Sequence, residues 1–210
     1  MGTTRLQLYN GALRELGETR LASLTENREP RRALDDFYDQ AVNYCLEAGQ
    51  WNFALRSVEF TANEDIEAEF GYTYTFDKPS DWIRTAALTS DEHGRLTLLQ
   101  YQDESQYWFA DINPIYVRYV SNDESFGLDL GAWPSRFTRF VELYLAYLAC
   151  ERLTQNATKR RELAADLKAA KKEALNSDAM NDAGPRFSPP GRVVRSRMGG
   201  WWHGRNYERG

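Results

Sequence analysis

Histidine and cysteine are scarce in this chain, two of each in 210 residues, and that scarcity removes much of the usual catalytic repertoire. Cys45 and Cys150 each fall within an apolar helical pattern, which reads as two buried thiols in a reducing compartment rather than a disulfide framework. His93 lies in a turn beside Glu92 and reads as a solvated surface residue; His203 follows two tryptophans and reads as a contact residue. There is no glycine-rich phosphate loop, no His-Glu-x-x-His, no paired cysteine at zinc spacing and no Gly-x-Ser-x-Gly elbow. Asp77 and Asp81 stand close enough in sequence to suggest a carboxylate pair, but turn formation explains both. The expectation is a non-enzymatic protein with no cofactor, metal or catalytic residue. Uncharged hydrophobic runs are missing as well. The most apolar stretch, 134–156, is interrupted by Arg136, Arg139, Glu142, Glu151 and Arg152, whereas a membrane span needs about twenty mostly uncharged residues. The start, MGTTRLQLYN, carries no signal-type apolar run and only a partial match to a myristoylation start, so synthesis in a cytoplasm is expected. Internal repeats at solenoid periods are absent.

What is present suits a folded chain of one domain or two small ones: 42% hydrophobic and 13% aromatic residues, including six tryptophans. The net charge of −5 conceals an asymmetry. From Gly184 onward six arginines face Glu208 alone, so this tail carries +5 and the remainder carries −10.

The element that organises the rest is 134–156, where Phe137, Phe140, Val141, Tyr144, Leu145, Leu148 and Leu153 recur mainly at three- and four-residue steps, one side of a helix. Pro134 supplies the start signal and Ser135 the expected cap. Before it, Leu6, Tyr9, Leu13 and Leu16 predict a first helix capped by Thr3 or Thr4 and stopped by Gly17. Leu34, Phe37, Tyr38, Ala41, Cys45 and Ala48 predict a second, entered through Asn27 and Pro30 and ended by Gly49. The period then changes to two. Trp51, Phe53 and Leu55 alternate, and Val58 and Phe60 resume after a one-residue slip that reads as a β-bulge. Further strands are predicted around Tyr72, Tyr74 and Phe76, over 83–88, through Leu96 and Leu98, and over 114–120, with 63–69 an acidic loop. The segment 105–110 is ambiguous and fits a short helix. A last helix opens at Asn156 or Thr158 and places Leu163, Leu167, Ala170 and Ala174 on one face.

The predicted class is α+β: a helical bundle made by N- and C-terminal helix pairs, with an inserted antiparallel β-rich module and an extended C-terminal tail. The divisions fall at 1–50, 51–124, 125–183 and 184–210. The tail's glycines and prolines disfavour helix and strand, yet it keeps Phe187, Val193, Val194, Trp201, Trp202 and Tyr207, which a passive linker does not need. Arginine and tryptophan anchor protein interfaces, so Arg186, Arg192, Arg195, Arg197, Trp201 and Trp202 are the candidate docking residues. The same residues could instead grip phosphates and stack bases, although the acidic body would repel nucleic acid nearby. A third alternative is a solubilising tail with no partner.

Three segments, Leu-Tyr-Asn-Gly-Ala-Leu-Arg-Glu-Leu-Gly (8–17), Gly-Gln-Trp-Asn-Phe-Ala (49–54) and Tyr-Thr-Tyr-Thr-Phe-Asp-Lys-Pro-Ser-Asp-Trp-Ile-Arg (72–84), together resemble the head-to-tail adaptor proteins of tailed bacteriophages, in particular the tail tubular protein A or tail-connector group. Ile115-Tyr116-Val117-Arg118-Tyr119 resembles the family's strand before the third helix, and 137–153 its Ala- and Leu-rich helix. The likeness runs from about Leu6 to Asn176. It departs at Phe76-Asp77-Lys78, where the family more often has a leucine directly before the proline, and the tail past Gly184 matches no family motif. The resemblance implies a ring, commonly of twelve subunits, docked on the portal protein by C-terminal segments and continuing the DNA channel to the next tail protein, a tube or nozzle. It implies a virion location in the neck or tail, with DNA passing unbound. The alternative is a nucleic-acid-binding phage accessory protein acting through the tail; a wall-degrading hydrolase is a third reading, for which no acid/base pair stands out.

Overall fold

The structure is a computed structural model and describes residues 2–181. Among these, four α-helices accompany two small antiparallel sheets, a mixed α+β architecture. Helix α1 (Arg5–Leu16) starts at a reciprocal cap: Gln7 N donates to Thr4 Oγ1 at 3.3 Å, and Thr4 N donates to Gln7 Oε1 at 2.9 Å. Gly17, at φ 77°, stops it in the left-handed region that glycine adopts without a Cβ penalty. Helix α2 (Glu29–Glu47) carries Pro30 in its first turn, where the missing N–H costs nothing.

Helix α3 (Ser135–Thr154) corrects the expected cap. Pro134 itself holds the extended N-cap conformation, Ser135 is already helical, and no side chain caps the first turn. In helix α4 (Ala157–Asn181), by contrast, Asn156 Oδ1 accepts from the backbone N–H groups of Thr158 and Lys159 at 3.0 and 3.1 Å.

The one-residue slip between Leu55 and Val58 is not a bulge: Leu55 packs on the helices from one face of an unbroken strand, and Val58 and Phe60 pack on the core between the sheets from the other. Asn52–Ala54 form a single 3₁₀ turn, and strand β1 (Leu55–Phe60) then pairs without interruption against β6 (Ile115–Ser121), from Leu55↔Val120 to Phe60↔Ile115. The turn rotates Trp51 into the helical core, where its Nε1 donates to the Cys45 carbonyl at 2.8 Å. Irregular register occurs instead in β3 (Trp82–Thr89), at Trp82/Arg84 and Thr85/Ala87. One sheet therefore has the order β1-β6-β3, and the other, β2-β5-β4, is built from β2 (Tyr74–Asp77), β4 (Tyr101–Asp103) and β5 (Tyr107–Ala110). The ambiguous 105–110 segment is thus strand β5 rather than helix, because Trp108 and Ala110 close a core against the first sheet. The segment through Leu96 and Leu98 makes only an isolated bridge, Thr89↔Thr97; Leu98 packs on the core while Leu96 stays exposed.

Two apolar clusters result. The larger gathers residues of all four helices, with α3 touching each of the other three, and reaches the first sheet at Val120 and Leu55. The smaller lies between the sheets, around Phe76, Leu88, Trp108, Ile115, Val117 and Tyr119. Phe137 joins the helices to the start of β1: its ring centre lies 4.8 Å from that of Trp51, 4.7 Å from Phe53 and 4.9 Å from Trp133.

Candidate functional site

Alternation along β6 decides which part of the β unit stays open. Ile115, Val117 and Tyr119 face the inter-sheet core, while Tyr116, Arg118 and Val120 face the other way. On this outer face the helices cover only the row containing Leu55 and Val120. In the next two rows, Ser57–Arg118–Ala87 and Glu59–Tyr116–Thr89, no helix covers the sheet, and only Thr89, bonded to the Asp91 carbonyl, is buried. These rows floor a groove of about 620 Å³ that runs from Asn52 to the turn of Glu92, His93 and Gly94. Glu59 and Glu92 line the far end of the groove beside His93, and burial first, then these carboxylates and Asp91, pushes the Tyr116 hydroxyl above its ordinary pKa. Arg118 supplies the opposite charge at the groove's centre.

Asp81 holds the other face of this sheet together. Its carboxylate accepts from Arg56 Nη1 at 3.0 Å, from the Tyr119 hydroxyl at 3.1 Å and from Ser121 Oγ, while its carbonyl accepts from Asn122 N. Burial alone would raise its pKa, but the bonds from Ser121, Arg56 and Tyr119 outweigh that and hold it below the usual carboxylate range. Asp77 has a separate partner, Asn63, whose Nδ2 donates to it at 2.7 Å, so the two aspartates share no hydrogen-bond partner. Lys78 between them has a side chain only 4% exposed; its Nζ lies 3.8 Å from the Trp82 ring centre and is paired with Asp103. Asp81 and Lys78 are thus each held in an ion pair, while Asp77 stands exposed beside Asn63.

The remaining sequence candidates separate similarly. His93 is exposed, 3.3 Å from Glu92. Cys45 and Cys150 are buried; desolvation drives the Cys45 thiol well above its ordinary pKa, which keeps it protonated and unreactive. Among the described residues no three His, Cys, Asp or Glu side chains gather as a metal site, and no helix is long and apolar enough to cross a membrane. The docking candidates Arg186, Arg192, Arg195, Arg197, Trp201 and Trp202 lie outside the described residues.

A second surface hollow, of about 560 Å³, is bordered by Gln7, Asn10, Gly11, Arg14, Arg20 and Glu142. Glu142 reaches from α3 against α1, where burial raises its carboxyl pKa against the pull of Arg14, 3.4 Å away. A Cβ on Gly11 would come within 2.1 Å of that carboxyl group. That group is the end of a flexible side chain bordering the hollow, so Gly11→Ala is expected to swing it aside and, with alanine's better helix propensity, to shift stability by less than about 1 kcal/mol either way, with the Gly11→Ala/Glu142→Ala pair within about 1 kcal/mol of it. Urea denaturation of both variants checks this.

The sequence pattern missed the groove because Glu59, Tyr116 and Arg118 become neighbours only through strand pairing. Their signal was the alternation within 115–120, in which Tyr116 and Tyr119 belong to opposite faces.

The fold and this surface define a mixed α+β protein with an open sheet face and tightly paired internal charges. No family model matches the chain, and no curated protein matches it.

Proposed function

We propose that this chain is a structural head-to-tail adaptor of a tailed bacteriophage. It acts without catalysis, as one subunit of a ring, twelve-membered in the family it resembles, that docks on the portal protein and continues the DNA channel to the next tail protein. In this reading the four helices work as one bundle forming the ring wall, with the β unit inserted into it. The 184–210 tail docks on the portal through Arg186, Arg192, Arg195, Arg197, Trp201 and Trp202. The observation that carries the reading is the order of the family-like segments. They fall on α1, on the α2–β1 junction, on β2 and β3, on β6 and on α3, so that each serves one joint of the fold. The body's −10 charge also suits a conduit, since a negative wall does not hold DNA.

The test is the mass of the protein mixed with its cognate portal ring, by native mass spectrometry, beside each alone. One copy per portal subunit is expected. A protein ending at residue 183, which keeps both apolar cores, is expected to remain folded and to lose docking. Absence of any complex with folded full-length protein would overturn the adaptor reading, and salt-sensitive DNA binding lost with the tail arginines would replace it.

A further inference from the structure

We infer that the groove on the outer face of the β1-β6-β3 sheet is a docking site for this chain's own segment 192–197, Arg-Val-Val-Arg-Ser-Arg. Three observations point to this occupant.

The first is where the described chain ends. Asp178, one turn before Asn181, accepts from Asn52 N at 3.2 Å, and Asn52 Nδ2 donates to the Asp178 carbonyl at 3.2 Å. Asn52 also lines the mouth of the groove. The chain therefore leaves α4 beside that mouth with 29 residues still to follow. Residues 182–192 alone can span roughly 35 Å when extended, more than the ~20 Å length of a six-residue strand.

The second observation is pitch. An extended segment repeats its faces every two residues, as the sheet's open rows do. With Val193 over the Ser57–Arg118–Ala87 row, Arg195 meets the Glu59–Tyr116–Thr89 row and Arg197 continues towards Glu92. The small side chains of Ser57 and Ala87 leave room for a valine, and the Tyr116 ring offers a face to a guanidinium.

Charge is the third. The +5 tail meets the groove's acidic end, formed by Glu59, Glu92 and Asp91, and Arg118 lies under the valine rather than under an arginine. The segment is the same one assigned above to portal docking, so the groove would store it in the free protein until a partner displaces it. The groove assignment stands on its own observations and does not depend on the adaptor reading.

The experiment uses the full chain carrying Ser57→Cys and Ser196→Cys, treated with a short bis-maleimide; Cys45 and Cys150 are buried and do not compete. The control pair is Ser23→Cys/Ser196→Cys, with Ser23 before the start of α2, whose other end, at Glu47, is the one that meets β3 through Arg84. Expected are an intramolecular adduct for the Ser57 pair in clear excess over the control, and a roughly tenfold drop in its yield when Glu59→Lys and Glu92→Lys are added. Equal yields for the two pairs, or a yield indifferent to the charge reversals, would overturn the assignment. Crosslinked dimers in place of monomers would overturn it in favour of a tail supplied by a second copy. Portal binding is measured separately, so either idea can fail while the other stands.

Discussion

Phe137→Ala is expected to lower the free energy of unfolding by about 3–5 kcal/mol, the largest effect of any single substitution considered for this protein. The ring is 1% exposed and touches aromatic neighbours from three directions: Trp51 and Phe53 from the α2–β1 junction, Trp133 from the segment leading into α3, and Phe140 from the next turn of α3. Removing it loses the transfer free energy of a buried phenyl group and leaves a cavity that rigid rings cannot readily collapse into. The edge-on contact with Trp133, at 90° between the ring planes, adds to the area term. Phe137→Leu refills most of the volume and is expected to cost about 1–2 kcal/mol. Urea denaturation followed by tryptophan fluorescence separates the two variants; a loss below about 1 kcal/mol for the alanine would show that this cluster does not hold the helices to the β unit.

Asp81→Ala is expected to cost about 2–4 kcal/mol and to change the pH dependence of stability as well. Three donors lose their acceptor at once, and the Tyr119 hydroxyl and Ser121 Oγ belong to fully buried residues. The folded pKa of Asp81 lies below its unfolded value of about 3.9, so its contribution is complete above that pH and is lost as pH falls through the folded value. Tyr119 behaves in the opposite sense. Burial, and next the Asp81 carboxylate, pushes its hydroxyl up to about 12, so its contribution is complete below about pH 10 and disappears as pH rises through the folded value. Stability measured across pH should show both limbs in the parent protein and a shallower acid limb in Asp81→Ala. An unchanged acid limb would mean that another carboxylate dominates there.

The helices were legible in the sequence because each carried its own signal. Thr4 with Gln7, Pro30, Gly17 and Asn156 act through backbone groups within one turn, and the apolar steps of 134–156 repeat at helical spacing. Such local determinants need no knowledge of the rest of the chain. The strands were legible as alternation, but their partners, their faces and the short β5 were not. The slip between Leu55 and Val58 shows why: a bulge and a regular strand that buries first one face and then the other leave the same displaced alternation in sequence, and only the unbroken register of β1 on β6 distinguishes them.

By itself, then, the sequence determined the four helices, the caps at Thr4 and Asn156, the turn to strands after the second helix, the acidic body and the basic, aromatic tail. Tertiary structure alone decided that Asp77 and Asp81 have separate partners, that Lys78 is enclosed beside Trp82, and that Ser57, Glu59, Tyr116 and Arg118 share an uncovered sheet face. The physical reason is one of range. Caps and helical stripes arise from groups within four residues of each other, whereas an ion pair or a groove is made by residues such as Arg56 and Asp81, or Glu59 and Tyr116, which only the pairing of distant strands brings together.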